Sequence, residues 1–424
     1  MKKPPSTLSS VILWSVISAA FIGPGTVTTA VTAGANYGLA LLWTVTFATF
    51  GCIALQEISA RITIASGLTF GESLLKKFGP RNGLILQWIV GGSVVFGCAA
   101  YEAGNILGAV AGLNLLTGAS NTILTIIVTA VTGLVLWFRG KDWISNLMML
   151  LVVIMGIAFA ALAFSQDFTI VDLAKSTITP VIPVGSELIV LGLIGTTIVP
   201  YNIFIGAGIS KGQTIPLMRV GLGVSVAIGG AITAAILIAG ISINRFDSFH
   251  EIANAMSQQV GKWGEYALAL GLFAAGFSSA ITSPFASSLI ATTVFHFTTQ
   301  WKVRLVWMLV LLTGFIFGIS GVKPIPVILA VQALNGLILP LITMYLIIIV
   351  NDDSIVPRVH QHGSRYNIIL MVILLAVLLI GISNVDKSVS ATLHLTESSH
   401  PLVVLGMTIV VMIYPLFVLY KKYK

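Results

Sequence analysis

Apolar runs long enough to cross a bilayer follow one another along almost the whole chain of 424 residues. A membrane-spanning helix needs about 20 such residues. Only 8% of the residues are charged, against about 25% in soluble domains. The sequence therefore predicts an all-α integral membrane protein with about twelve transmembrane helices and no soluble domain. The apolar runs are residues 10–36, 39–66, 83–112, 122–138, 146–165, 186–210, 216–242, 263–293, 302–320, 325–350, 367–384 and 401–420.

Basic residues are unevenly distributed between the loops that join these runs. The chain has 22 Lys and Arg residues and a formal charge of +8. With a cytoplasmic N-terminus, sixteen of them fall on the cytoplasmic side, five fall outside, and Arg61 lies within a helix. An excess of Lys and Arg in cytoplasmic loops is the usual pattern in membrane proteins. We therefore expect both termini in the cytoplasm, a plasma (inner) membrane location and no nucleic-acid partner.

Two of the apolar runs are interrupted near their middle. Residues 23–26 read Gly-Pro-Gly-Thr, and residues 195–202 read GTTIVPYN. Lipid offers no hydrogen-bond partners, so irregular backbone survives there only against protein or a wet cavity. A single break is as often a packing kink as a binding site. Breaks at corresponding places in two halves, however, indicate a transporter that holds its substrate between broken helices.

The breaks fall in the first and sixth runs, so each begins a set of five helices. We expect residues 1–165 to form one five-helix repeat and residues 186–350 to form a second, inverted repeat. Residues 367–420 would add two further transmembrane helices. This arrangement is the LeuT-like fold of the APC superfamily.

Several segments resemble the Nramp family of proton-coupled transporters of divalent transition metals. The segments GPGTVTTAVTAGANYGLALLW and LQEISARITIASG are similar to helices 1 and 2 of that family. EAGNILGAVAGLNLLTG resembles helix 3, GTTIVPYNIFI helix 6 and GFSSAITSPFASS helix 8. The similarity extends over all ten core helices, and it implies the LeuT-like fold and secondary transport.

The chain departs from the family at the positions that bind metal. Helix 1 of the family carries Asp-Pro-Gly-Asn, whose Asp and Asn coordinate the ion, but here these positions are Gly23 and Thr26. Helix 6 of the family carries Met-Pro-His, and here it reads Val199-Pro200-Tyr201. The resemblance thus implies a pocket with hydroxyl, amide and carbonyl groups but no fixed negative charge. The candidate substrate-binding residues are Gly23, Thr26, Thr196, Val199, Tyr201 and Asn202.

Such a pocket suggests a changed substrate. Divalent cations are usually bound by carboxylates, imidazole or sulfur, whereas the end of a broken helix offers free N–H groups that bind anions. Our first hypothesis is therefore a small organic anion or zwitterion as substrate. The alternative is that the family activity is kept, with uptake of Mn²⁺, Fe²⁺ or a partly hydrated ion such as Mg²⁺. A third possibility is a transport-inactive relative that serves as a sensor or as a subunit.

Charged residues inside the apolar runs are candidates for coupling and gating, because they are costly in a membrane. The family's helix 3 has an Asp followed three residues later by a Glu, associated with the proton route; here the pair is Glu102 and Asn105. We expect Glu102 to carry a coupled proton, although Na⁺ coupling stays open. Glu57 and Arg61 lie four residues apart, can pair on one helix face, and form either a gate or a structural pair.

The remaining motifs predict no enzyme and no cofactor. We find no pairing of a nucleophile with a base, no P-loop and no CxxC motif. His360 and His362 lie in the short segment RVHQHGSR. Two histidines do not complete a metal site, so we expect a solvated loop there. The sequence thus predicts secondary active transport by alternating access.

Overall fold

The computed structural model describes residues 7–138, 141–241, 243, 248–392 and 400–423. Within these ranges the regular structure is helical, with no strand. Ten stretches of the described residues are long and apolar enough to cross a membrane. The prediction of an all-helical, multi-pass integral membrane protein is therefore confirmed. The helices are α1 (Thr7–Phe21), α2 (Pro24–Tyr37), α3 (Leu42–Ser66), α4 (Phe70–Thr117), α5 (Asn121–Phe138), α6 (Lys141–Phe164), α7 (Ile170–Ile178), α8 (Glu187–Thr197), α9 (Pro200–Ile209), α10 (Ile215–Ala239), α11 (Phe249–Val260), α12 (Lys262–Thr293), α13 (Gln300–Ile319), α14 (Pro324–Val350), α15 (Ser364–Thr392) and α16 (Pro401–Tyr423).

Each predicted apolar run falls on one helix, or on two helices where a break was expected. The first run is divided into α1 and α2, and the sixth into α8 and α9. Both second halves begin with proline, Pro24 and Pro200. Proline suits the first position of a helix because its missing N–H would have no helical partner there. The amphipathic helices α7 and α11 lie in loops and were not predicted by the apolar runs.

Helix α4 is bent near its beginning, at Gly79. This residue has φ 79° and ψ 172°, a conformation that favours glycine, and Pro80 follows it. A short first segment, capped by Thr69 and Glu72, therefore precedes the long apolar segment. The bend separates the interfacial start of α4 from the part that lies in the centre of the protein.

Small residues let α4 pack closely against α12 and against the break between α1 and α2. A Cβ atom on Gly112 would lie 2.5 Å from the backbone nitrogen of Phe273, and one on Gly108 would lie 2.1 Å from Cγ of Pro24. Close approach of this kind is typical of glycine-rich membrane helices. It brings the buried part of α4 beside the first break. The predicted repeat boundaries at residues 165, 186 and 350 stay predictions.

Candidate functional site

The two breaks meet around one small, closed cavity. Its volume is about 10 Å³, close to the smallest space that accepts a water molecule. Two other helices, α4 and α12, complete its wall, so the cavity lies at the centre of the helix packing. The lining residues are Ala20, Phe21, Gly23, Gly25, Thr26, Tyr101, Asn105, Thr196, Val199, Tyr201 and Ser279.

The backbone is unwound for two residues at each break. Gly23 is extended, with φ −105° and ψ −176°, and Val199 is also extended, with φ −85° and ψ 127°. The end of α1 therefore has carbonyl groups without a helical partner, as at any helix end.

Side-chain hydroxyls from three helices donate hydrogen bonds to those carbonyls. The Tyr201 hydroxyl donates to the carbonyl of Ala20 at 2.9 Å. The Ser279 hydroxyl donates to the carbonyl of Ala19 at 3.4 Å, and the Thr26 hydroxyl donates to the carbonyl of Phe21. The break is thus closed by hydrogen bonds from α9, α12 and α2. Rotation of these hydroxyls would free carbonyl oxygens toward the cavity.

Five of the six predicted substrate-binding residues line this cavity, and Asn202 does not. The Asn202 side chain is fully buried, and its Nδ2 atom is 3.5 Å from the carbonyl oxygen of Ile17. Its Oδ1 atom has no hydrogen-bond partner among the described residues. Asn202 therefore faces α1, one turn away from the cavity wall.

Tyr101 and Ser279 line the cavity although the sequence did not single them out. The ring of Tyr101 packs edge-on against Tyr201, with 5.6 Å between the ring centroids. Ser279 lies where the family's aspartate would project, because a Cβ on Gly23 would be 2.9 Å from the Ser279 Oγ. The only sequence signal for Ser279 was the Ser-Ser pair inside the apolar helix α12.

Glu102 lies behind the cavity wall rather than in it. Its side chain is fully buried, and Asn105 Nδ2 is 3.4 Å from its Oε2 atom. Its Oε1 atom has no hydrogen-bond partner within the described chain. Asn105 lines the cavity, so a single side chain separates the carboxyl group of Glu102 from it. A buried polar atom without a partner requires an explanation.

No preformed metal cluster accompanies the cavity. In the part of the chain that the structure describes, no three His, Cys, Asp or Glu residues converge to hold an ion. The donors at the cavity are hydroxyls, one amide and backbone carbonyls. An ion bound there would be coordinated mainly by neutral oxygens, and water would have to complete its shell.

Glu57 is the centre of a second polar cluster, at the end of α3 away from the cavity. Arg61 forms a bifurcated ion pair with it, as the four-residue spacing predicts. Arg219 of α10 donates to Glu57 Oε1 at 2.9 Å, and His362 Nε2 lies 2.7 Å from Glu57 Oε2. Arg61 also donates to the carbonyl of His360. We call these four side chains, Glu57, Arg61, Arg219 and His362, the latch.

The prediction of a solvated loop at residues 358–365 is wrong for His362. Its imidazole is buried and stacks on Tyr366, with 4.2 Å between the ring centroids. Burial lowers the pKa of His362 below its ordinary value, although Glu57 opposes that shift. The loop is thus fixed to α3 by a neutral histidine.

The same loop is also held at its other end. Asp352 forms an ion pair with Lys77 at the start of α4. Burial alone would raise the pKa of Asp352, but hydrogen bonds from Lys77 and Ser354 hold it below its usual range. The segment between α14 and α15 therefore connects α3 and α4 at one side of the membrane.

These features define a class of protein. An all-helical membrane protein whose two broken helices meet at a closed polar cavity has the architecture of a transporter that alternates access between the two sides. The chain belongs to the Nramp family: the family described as natural resistance-associated macrophage protein-like matches residues 15–385. It is accordingly a transporter and not an enzyme.

Relatives and solved structures agree with this assignment. The divalent metal cation transporter MntH of Erwinia tasmaniensis is 23% identical over 385 residues, covering 86% of this chain and 92% of its own. MntH of Pectobacterium carotovorum is 27% identical over 331 residues, covering 74% and 78%. The crystal structure of a manganese transporter from Eremococcus coleocola superposes with a TM-score of 0.77 at 16% identity, covering 98% of this chain and 94% of its own. The LeuT-like fold is therefore confirmed.

Proposed function

We propose that this protein transports a divalent metal cation by alternating access. The proposal is supported by its family and by relatives that are named as divalent metal cation transporters. The hypothesis of an organic anion as substrate has no counterpart among them. The alternative stated from the sequence, a partly hydrated divalent cation, fits both the relatives and the donor groups at the cavity.

The donor groups favour a hard ion that keeps part of its water shell. Thr26, Thr196, Tyr201 and Asn105 offer neutral oxygens, and neither sulfur nor imidazole lines the cavity. Mg²⁺ retains several waters and takes oxygen ligands, whereas soft sulfur and imidazole ligands select transition metals. The closed cavity is too small for a hydrated ion, so the helices must separate before the ion binds.

Glu102 supplies the negative charge that the cavity lacks, and it is the observation that carries the proposal. Its unpartnered carboxylate oxygen lies one side chain behind the cavity, next to Asn105. A divalent cation in the cavity favours the ionised carboxylate, and an empty cavity favours the protonated one. Glu102 can therefore release a proton when the ion enters, and its release toward the side that the ion will reach couples H⁺ to the cation.

Alternating access also requires that one side stays closed while the other is open. We propose that the latch closes the side on which the α14–α15 loop lies. From the excess of Lys and Arg in its loops, we infer that this side, and both termini, face the cytoplasm, and that the membrane is the plasma (inner) membrane. Glu57 and Arg61 are then part of a gate.

The test is calorimetric titration of the purified protein with Mg²⁺ and Mn²⁺, followed by uptake into proteoliposomes. We expect Mg²⁺ to bind, and we expect a pH gradient across the membrane to drive its uptake into the proteoliposomes. Glu102→Gln should abolish the dependence of uptake on that gradient, whereas Glu187→Gln, at the exposed start of α8, should leave it unchanged.

Two results would overturn the proposal. One is that neither ion binds while an amino acid or small carboxylate raises the thermal-unfolding temperature, which would restore the organic substrate. The other is that uptake by Glu102→Gln depends on the pH gradient as strongly as uptake by Glu187→Gln. That result would exclude Glu102 as the residue that couples the proton.

A further inference from the structure

An apolar groove of about 720 Å³ runs between α15 and α16 on the outside of the helix bundle. Its walls are apolar along most of their length, and polar side chains occur only at one end. Ser364 and Asn367 stand at that end on α15, and Tyr420 stands there on α16. The apolar lining residues are Ile368, Met371, Val372, Leu375, Met412, Leu416 and Leu419.

The groove has the length of one leaflet of a bilayer. From Ser364 to Leu375 it follows eleven residues of helix, which is about 16 Å at 1.5 Å per residue. The hydrocarbon core is about 30 Å thick, so half of it is about 15 Å. The groove therefore begins at the membrane surface and ends near the bilayer centre.

Basic side chains lie at the polar end of the groove. Arg365 is exposed and lies one helical turn before Ile368 on the same stripe of α15. Lys421 is exposed and directly follows Tyr420, and its Nζ atom lies 4.7 Å from the centroid of the Phe417 ring beside the groove. In the described structure neither forms an ion pair, whereas the nearby acids are already paired, Asp352 with Lys77 and Asp353 with Arg358.

We propose that this groove binds an anionic phospholipid of the leaflet at the C-terminal side of the membrane. One acyl chain lies along Ile368, Val372 and Leu375, and the phosphate meets Arg365 and Lys421. The charge of the rim selects an anionic headgroup, because each Lys or Arg near the surface favours anionic lipid about fivefold. The bound lipid stabilises the packing of α16 against α15, because α16 otherwise exposes most of its surface.

Two matched tryptophan variants test the acyl-chain site. Val372 lines the groove and Ile369 does not, yet their side chains are 52% and 51% exposed on the same helix. Detergent-purified protein is stripped of lipid, phosphatidylglycerol or phosphatidylcholine is added, and bound lipid is counted by native mass spectrometry. We expect Val372→Trp to lower bound phosphatidylglycerol at least fivefold and Ile369→Trp to leave it unchanged.

The double variant Arg365→Gln, Lys421→Gln tests the headgroup site without altering the groove. We expect the preference for phosphatidylglycerol over phosphatidylcholine to fall at least tenfold, with bound phosphatidylcholine unchanged. Equal lipid loss in the two tryptophan variants would overturn the proposal. An unchanged preference in the double variant would overturn it too, as would a change from dimer to monomer caused by Val372→Trp, which would mean that a second copy covers the groove.

Discussion

Replacing Glu57 by glutamine tests whether the latch is a gate or only a structural pair. The Glu57 and Arg61 side chains are 4% and 5% exposed. Removing one partner of a buried ion pair leaves an uncompensated charge and costs about 3–5 kcal/mol. Arg219 is 52% exposed, so its loss costs about 0–1 kcal/mol. The two variants should therefore differ sharply.

If the latch holds one side of the transporter closed, the free energy lost with the Glu57 carboxylate shifts the equilibrium from the closed toward the open conformation. A change of 1.4 kcal/mol alters an equilibrium tenfold, so Glu57→Gln should raise the open population at least tenfold. Arg219→Gln should alter it by less than about fivefold. The double variant should resemble Glu57→Gln, because Arg219 acts through the same carboxylate.

A cysteine at Ser59 can report the opening. Ser59 is buried on α3 near the latch, and its hydroxyl donates to the carbonyl of Ile203 in α9 at 2.9 Å. Cys52 and Cys98 are both buried, so the introduced thiol should dominate labelling by a membrane-impermeant maleimide. We expect labelling of Ser59→Cys to be at least tenfold faster when Glu57→Gln is added, and nearly unchanged with Arg219→Gln.

One result would refute the gate. If Glu57→Gln lowers the thermal-unfolding temperature while the folded fraction is labelled at the unaltered rate, the latch only stabilises the fold. Labelling from the side opposite to the α14–α15 loop would contradict the placement of the gate.

Three further predictions concern the cavity, the packing and pH. Gly23→Asp with Ser279→Ala should tighten Mn²⁺ binding measured by calorimetry, because the added carboxylate can reach the cavity where the extended backbone accepts a side chain and the obstructing hydroxyl is gone; Gly23→Ala with Ser279→Ala should leave Mn²⁺ binding unchanged. Gly112→Ala should destabilise the protein by about 1–3 kcal/mol through overpacking, whereas Gly92→Ala, with no atom within 4 Å of its Cβ, should stay within about 1 kcal/mol in thermal unfolding. Since His362 has a lowered pKa, the latch should be stable above about pH 6.5 and should weaken as the pH falls below it; His362→Gln should remove this dependence from the labelling rate.

The breaks could be predicted from the sequence because their causes are local. Proline removes a backbone donor, and glycine tolerates an extended conformation, so Gly23, Pro24 and Pro200 mark the unwound residues wherever the helices pack. Thr196 and Val199 could be predicted at the cavity too, because they lie close to Pro200 in the chain. Asn202 was placed at the cavity for the same reason, but its direction is set by the phase of α9, which the sequence alone did not reveal.

The rest of the site depends on contacts between distant segments. Ser279 and Tyr101 reach the cavity because α12 and α4 cross the breaks at close range. Nothing in the apolar pattern of either helix distinguishes these residues from ordinary packing ones. His362 lies 305 positions from Glu57, and a loop histidine is ordinarily solvated, so its burial could not be read from its neighbours.

The position of the Glu102 charge, behind the cavity wall, connects the altered metal-binding motifs with the proposed substrate. With glycine at position 23, no carboxylate can displace the waters of an ion at the break, and Glu102 acts on it only across Asn105. Attraction through a neutral side chain depends on charge and distance but hardly on ligand softness. Selectivity should then follow the size of the hydrated ion and the opening of the cavity. Divalent ions of similar hydrated size should compete nearly equally, which a site with sulfur or imidazole ligands would not allow.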